Sequence, residues 1–205
     1  MSGCIHPNKV IEYDEEVKLH DGSMIWVHIK RHYSWSGWAP AMSGAYQAGV
    51  VEVSWDTGFP NVGRKSVFFY DGLFLVDKID GIWYVAGQRY PYKNVDIFKD
   101  SINCSDFGTP VRSDDRYDDL GCILSIRADG SLSGVDLNAH GSFILNILYD
   151  HIPNEGNPPQ SLNGKMLGWT EKLTIQTKQA QHIRFIGKEY KPYQIAGDVI
   201  NEQSK

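Results

Sequence analysis

The chain has 205 residues, 41% hydrophobic and 22% charged, and its 20 basic and 25 acidic side chains give a formal net charge of −5. That length suits one domain with a sizeable core, and the charge balance offers no broad cationic field for a polyanion, which argues against nucleic acid as a partner. No apolar run reaches the about 18 residues that a membrane-spanning helix needs.

In chain order, the first regular pattern is "VIEYDEEVKL" followed by "SMIWVHIKRHY". Val17 and Leu19 alternate with Glu16 and Lys18, and Ile25, Val27 and Ile29 alternate with Trp26, His28 and Lys30. Period two predicts strands, and Asp21-Gly22 between them predicts a hairpin turn. A long connection, "SWSGWAPAMSGAYQ", leads to a third strand, "AGVVEVSW". Trp35 and Trp38 in that connection are candidates for an aromatic binding patch, although aromatic side chains in glycine-rich loops more often fold back on their own domain.

The next stretch, "SVFFYDGLFLVDKIDGIWYVAG", reads as a three-stranded meander punctuated by Asp71-Gly72 and Asp80-Gly81, and Asp129-Gly130 predicts one more hairpin after "CILSIRA". The acidic run "SDDRYDD" at 113–119 reads as a solvated loop, since the glycine and distal glutamate of a calcium loop are missing. From Asn138 the pattern changes: Phe143, Ile144, Ile147 and Leu148 stand at helical spacing, with Ser142 as N-cap and Pro153 as stop, so a helix is expected over 138–152. The stretch "KMLGWTEKLTIQTKQAQHIRFIGKEY" carries both strand-like and helix-like signals. The expected architecture is a mainly β, α+β fold, an antiparallel sheet curled into a sandwich or partial barrel with one or two short helices. Residues 1–9 read as a tether, 10–198 as a single β-rich domain and 199–205 as a disordered tail. The expected core contains Ile25, Val27, Ile29, Val51, Val53, Phe68, Leu75, Val76, Trp83, Val85, Leu124 and Ile126.

Motifs for chemistry are sparse. His28 and His32 would share a helix face, but on a strand four steps span about 13 Å, too far for both to grip one ion. No metal site and no cofactor are expected. His140, His151 and His182 could each serve as a base and Cys104 or Cys122 as a nucleophile, so a hydrolase with a Cys/His site assembled by the fold is one functional expectation. Cys104 and Cys122 could equally form a disulfide in an oxidising compartment or remain buried thiols in a reducing one.

The opening Met1-Ser2-Gly3-Cys4 resembles the end of a bacterial lipobox, in which small residues precede the cysteine that receives lipid. On that reading Cys4 is the lipidation site, preceded in the gene by a basic start and an apolar stretch of about 7 to 15 residues; otherwise Cys4 is an ordinary thiol in a frayed terminus. The succession of "VKLHDGSMIWV", "VVEVSW", "FFYDGLFLVDKIDGIWYVAG" and a later cysteine before Asn146-Ile147-Leu148 resembles a group of uncharacterised bacterial envelope lipoproteins. The resemblance implies lipid attachment at Cys4 and no known activity. The main functional expectation is therefore a noncatalytic, envelope-tethered protein that captures a protein partner, periplasmic and membrane-anchored through lipid, with a cytoplasmic location as the alternative.

Overall fold

A computed structural model describes residues 7–36, 45–70, 72–88, 121–135, 143–144, 146–148, 158–178 and 185–186. Its first sheet has five strands: β1 (Lys9–Lys18), β2 (Met24–Ser36), β3 (Ala45–Asp56), β4 (Arg64–Tyr70) and the short β10 (Met166–Leu167), in the order β10-β1-β2-β3-β4. The second has four, β5 (Gly72–Ile79), β6 (Ile82–Gln88), β7 (Gly121–Ile126) and β8 (Leu132–Gly134), in chain order. All neighbours are antiparallel except β1 and β10, which run parallel. The fold is thus β-rich and sandwich-like, and neither sheet closes into a barrel among the described residues.

Alternation explains the first sheet. Ile11, Tyr13, Glu15 and Val17 of β1 are buried, as are Val27, Ile29, Arg31 and Tyr33 of β2, Val51, Val53 and Trp55 of β3, and Val67 and Phe69 of β4. These meet Leu73, Val76, Trp83, Val85, Leu124 and Ile126 of the second sheet in one core. Trp55 and Trp83 pack edge to face at 5.6 Å across it, and Trp83 donates its Nε1–H to the carbonyl of Thr57 at 2.9 Å. The second sheet is buried on its other face as well, where Leu75, Tyr84, Ala86, Ile123 and Val135 form a smaller cluster.

Three of the four Asp-Gly pairs make the expected hairpins. Asp80 and Gly81 both take positive φ, 51° and 78°, in the two-residue turn between β5 and β6, as a turn matched to strand twist requires. Gly22 and Gly130 adopt the same region between β1 and β2 and between β7 and β8. The pair Asp71-Gly72 does something else: β4 before it and β5 after it belong to different sheets. The expected meander is therefore split, with β4 ending one layer and β5 opening the other.

Two further expectations are corrected. Phe68 is only half-buried because the β3 register, Val53 opposite Val67 and Val51 opposite Phe69, turns the neighbours of Phe68 inward and Phe68 itself to the outer face. Ile25 is partly buried against the core. The helix expected over 138–152 does not form at the residues described there: Phe143–Ile144 form strand β9, paired antiparallel with β11 (Phe185–Ile186), and Asn146 to Leu148 are not helical. A short apolar run reads equally well as helix or strand, and a partner some forty residues away decided the matter. The ambiguous later stretch, which begins at Lys165, contains β10, a helix α1 at Trp169–Lys178 and β11, and a 3-10 turn at Gln160–Leu162 precedes it.

The passage between layers leaves little room beside β6. A Cβ built on Gly87 would run into the Phe69 ring and lie 2.6 Å from the Gly72 carbonyl oxygen, so glycine is what lets β4, β5 and β6 approach. Gly87→Ala should cost about 1–3 kcal/mol by overpacking, read as a lower midpoint in urea unfolding. An unchanged midpoint would show that Phe69 can step aside without loss.

Candidate functional site

The outer face of the five-stranded sheet is the most distinctive surface among the described residues. Because β1 buries its odd-numbered residues, its even-numbered ones, Val10, Glu12, Asp14, Glu16 and Lys18, share the opposite face. β2 adds Met24, Trp26, His28, Lys30 and His32 to it, and β3 and β4 add Glu52, Ser54, Arg64, Ser66 and Phe68. Trp26 is 43% exposed and stands opposite Glu16, while Met166 of β10 is 66% exposed and stands opposite Asp14. Met24 and Val10 are exposed too. A tryptophan this open on an internal strand of a sheet is unusual for a surface that meets only water.

Polar contacts hold this face in place. His28 Nδ1 lies 2.9 Å from Asp14 Oδ1 and its Nε2 lies 2.9 Å from Glu12 Oε1. A neutral imidazole has one N–H to give and serves one of these carboxylates, whereas a protonated ring serves both. With both nitrogens engaged, the ring works as a clamp between two positions of β1 and not as an available base. Glu16 accepts the backbone N–H of Trp169 through Oε2 at 2.9 Å, which fixes the carboxylate at the start of α1, where the helix dipole favours negative charge. Arg64 covers Ser54, donating to its hydroxyl from Nη2 at 2.9 Å and from Nε at 3.2 Å. His32 is partly buried, and that burial, with Lys30 beside it, holds its imidazole below the usual range against the pull of Glu52 and Glu12.

Beneath the same strands lies a buried ionic network. Glu15 and Lys172 are both 0% exposed and meet at 3.0 Å through Glu15 Oε1 and Lys172 Nζ. The amine also donates to the carbonyls of Glu16 at 2.7 Å and Asn146 at 2.6 Å, so three acceptors match the three N–H groups of an ammonium. Burial pushes the Lys172 amine below its ordinary range, and Glu15 pulls it back up. Glu15 Oε1 further accepts the backbone N–H of Leu148 at 2.7 Å, while its Oε2 has no hydrogen-bond partner among the described residues. Arg31, nearly buried, donates to Tyr13 Oη at 3.3 Å and to the Leu148 carbonyl at 3.1 Å. The network ties β1, the 146–148 segment and α1 together under the outer face.

The residues singled out in the sequence are scattered. Trp35 lies not in the connection, as expected, but on β2, where it is half-buried and packs edge to face at 5.0 Å on Tyr46, its partner across the β2–β3 register. Lys9 Nζ lies 4.3 Å from the Tyr46 ring centroid, and Tyr46 donates its hydroxyl to the Pro7 carbonyl at 3.2 Å. Cys122 occupies the β7 position opposite Gly87. Cys4, Trp38, Cys104, His140, His151, His182 and the acidic run 113–119 lie outside the described residues. His28 and His32 both lie on strand β2, as expected, and His28 engages carboxylates. His20, which the sequence reading passed over, places Nδ1 3.2 Å from Asp77 Oδ1, and the same oxygen accepts the backbone N–H groups of His20 and Lys78. That contact ties the first hairpin turn to β5.

No protein-family model, curated protein or solved structure matches the chain.

Two predictions follow from the network. Lys172→Met strands the Glu15 carboxylate and should cost about 3–5 kcal/mol; pairing it with Glu15→Leu should recover much of that loss, because two apolar side chains need no compensation. Unfolding free energies that simply add across the cycle would rule the coupling out. The second concerns Tyr13, whose phenol burial holds far above its ordinary value near 10, with Arg31 opposing. Above pH 10 the unfolded tyrosine loses its proton while the folded one keeps it, so the native state binds more protons and stability falls as pH rises. Tyr13→Phe should remove that part of the decline, and its unfolding curve between pH 9 and 11 should be flatter than that of the wild type.

Proposed function

We propose that this chain is a noncatalytic binding protein, held at the bacterial cell envelope by lipid on Cys4, that captures a protein partner on the outer face of its five-stranded sheet. The observation that carries the reading is the open position of Trp26, with Met24 and Met166 on the same face. Exposed tryptophan and methionine on a rigid scaffold are what interface hot spots are made from. The hydrogen bonds of His28 and Glu16 keep the surrounding side chains ordered before a partner arrives, which lowers the cost of binding.

The tether fits the same arrangement. Tyr46 fastens the Pro7 carbonyl at the end of the sheet where Trp35 and Lys9 lie, so a tether attached ahead of Pro7 starts from that end. The outer face runs alongside the strands and stays accessible when that end is turned toward a bilayer. Such an address, periplasmic and membrane-anchored, also suits the resemblance to envelope lipoproteins.

Two measurements test the proposal. Metabolic fatty-acid labelling of the gene expressed with its upstream region should label the wild type and leave Cys4→Ala unlabelled. A photo-crosslinking amino acid in place of Trp26 should trap one defined protein in intact cells, whereas the same group in place of Lys65, on the opposite side of the sheet, should not. No cross-link at either position would sink the binding face.

A further inference from the structure

We propose that the partner presents an extended basic segment, with arginine or lysine at alternate positions, to the β1 and β2 strip of the outer face. The inference rests on the binding-face reading above and adds the chemistry of the occupant. Its first element is the exposed indole of Trp26, directly opposite Glu16 and diagonal to Asp14. An aromatic face next to carboxylates attracts a guanidinium or ammonium, by the ring quadrupole and by direct charge.

Its second element is charge. Among the described residues the face carries Glu12, Asp14, Glu16, Glu52 and Asp56 against Lys18, Lys30 and Arg64, with His28 a fourth cation when its ring is protonated between Glu12 and Asp14, so carboxylates still outnumber cations. Of these cations, Lys30 stands between Glu12 and Glu52 in the register, and Arg64 is committed to Ser54. Lys18, opposite Met24, is the lysine nearest Trp26 in the register.

The third element is spacing. Glu12, Asp14 and Glu16 stand at every second residue of one strand, so their side chains repeat at about 7 Å. Each uses one oxygen inside the protein: Glu12 Oε1 and Asp14 Oδ1 on His28, and Glu16 Oε2 on Trp169 N. Among the described residues no further partner meets Glu12 Oε2, Asp14 Oδ2 or Glu16 Oε1, which leaves them for an incoming donor. An extended peptide repeats its own side chains at the same about 7 Å, so cations at alternate positions meet this row in step, and one of them lies over Trp26.

The test uses synthetic peptides as probes, with the whole protein and binding read by calorimetry and by the indole N–H signal of Trp26. A peptide of alternating arginine and serine should bind, shift that signal, and weaken at least tenfold between 50 and 300 mM salt. A blocked peptide of the same composition should bind at least fivefold more weakly, and a glutamate-serine peptide should not bind. Trp26→Ala should weaken the alternating peptide at least tenfold, and Trp26→Phe should restore part of the loss. Equal binding of the two basic peptides, or no effect of Trp26→Ala, overturns the proposal and leaves only general attraction to an acidic protein. If a cross-link from position 26 traps a partner with no basic segment, the binding face stands and the basic occupant falls.

Discussion

A carboxylate and an ammonium buried together beneath β1 set the terms for the rest of the structure. Moving Glu15 and Lys172 out of water costs several kcal/mol for each ion, and their 3.0 Å contact offsets this only because other groups complete the coordination. Those groups come from elsewhere: the carbonyls of Glu16 and Asn146 accept from the amine, and the Leu148 N–H donates to the carboxylate. Three stretches far apart in sequence must therefore arrive in one geometry. Such a pair adds little net stability over a well-packed apolar pair, but it penalises every other way of seating α1 on the sheet.

The same strand serves two environments. Inside, Tyr13 and Glu15 face Arg31 and Lys172; outside, Glu12, Asp14 and Glu16 face His28, Trp169 N and water. A shift of one residue in the β1 register would exchange these sets and put three carboxylates in the core. Asn146 guards against such slippage at the β1 end of the interface between sheets: its side-chain amide donates to the carbonyls of Lys18 and Val76 and its oxygen accepts the Val76 N–H at 3.0 Å, so the end of β1 and β5 are read against one another.

Much of this was legible in the sequence, and what was not has physical causes. Alternation located β1, β2 and the side of β2 that carries Trp26, His28 and Lys30. Asp-Gly located three hairpins, yet at Asp71-Gly72 it reports only a local bend and is silent about which sheet the next strand joins. Glu15 stands in phase with Tyr13 and Val17, so its inward position could have been read from the same alternation; its partner Lys172 could not, because nothing local in "WTEKLT" marks a lysine that will be buried. Trp35, in a stretch whose glycines and proline suggest a loop, extends β2 and pairs with Tyr46, while Trp26, on the polar side of a clear strand, is the exposed tryptophan among the described residues.

The edges of the sheet bear on how a partner can be met. A strand partner needs a free row of backbone donors and acceptors. Along Glu12–Lys18 of β1 much of that row is taken: Asn163 Oδ1 takes the Glu12 N–H, Gly164 N gives to the Glu12 carbonyl, the Lys165 carbonyl takes the Asp14 N–H, and Lys172 and Asn146 give to the carbonyls of Glu16 and Lys18. At the other edge, β4 places Lys65 opposite Trp55, at a core-facing position of the register, and an inward charge on an edge strand opposes the addition of another strand. With one edge largely occupied and the other defended by charge, the binding reading proposed above places recognition on the side chains of the outer face around Trp26, because backbone pairing is what any extended chain could satisfy and these edges oppose it.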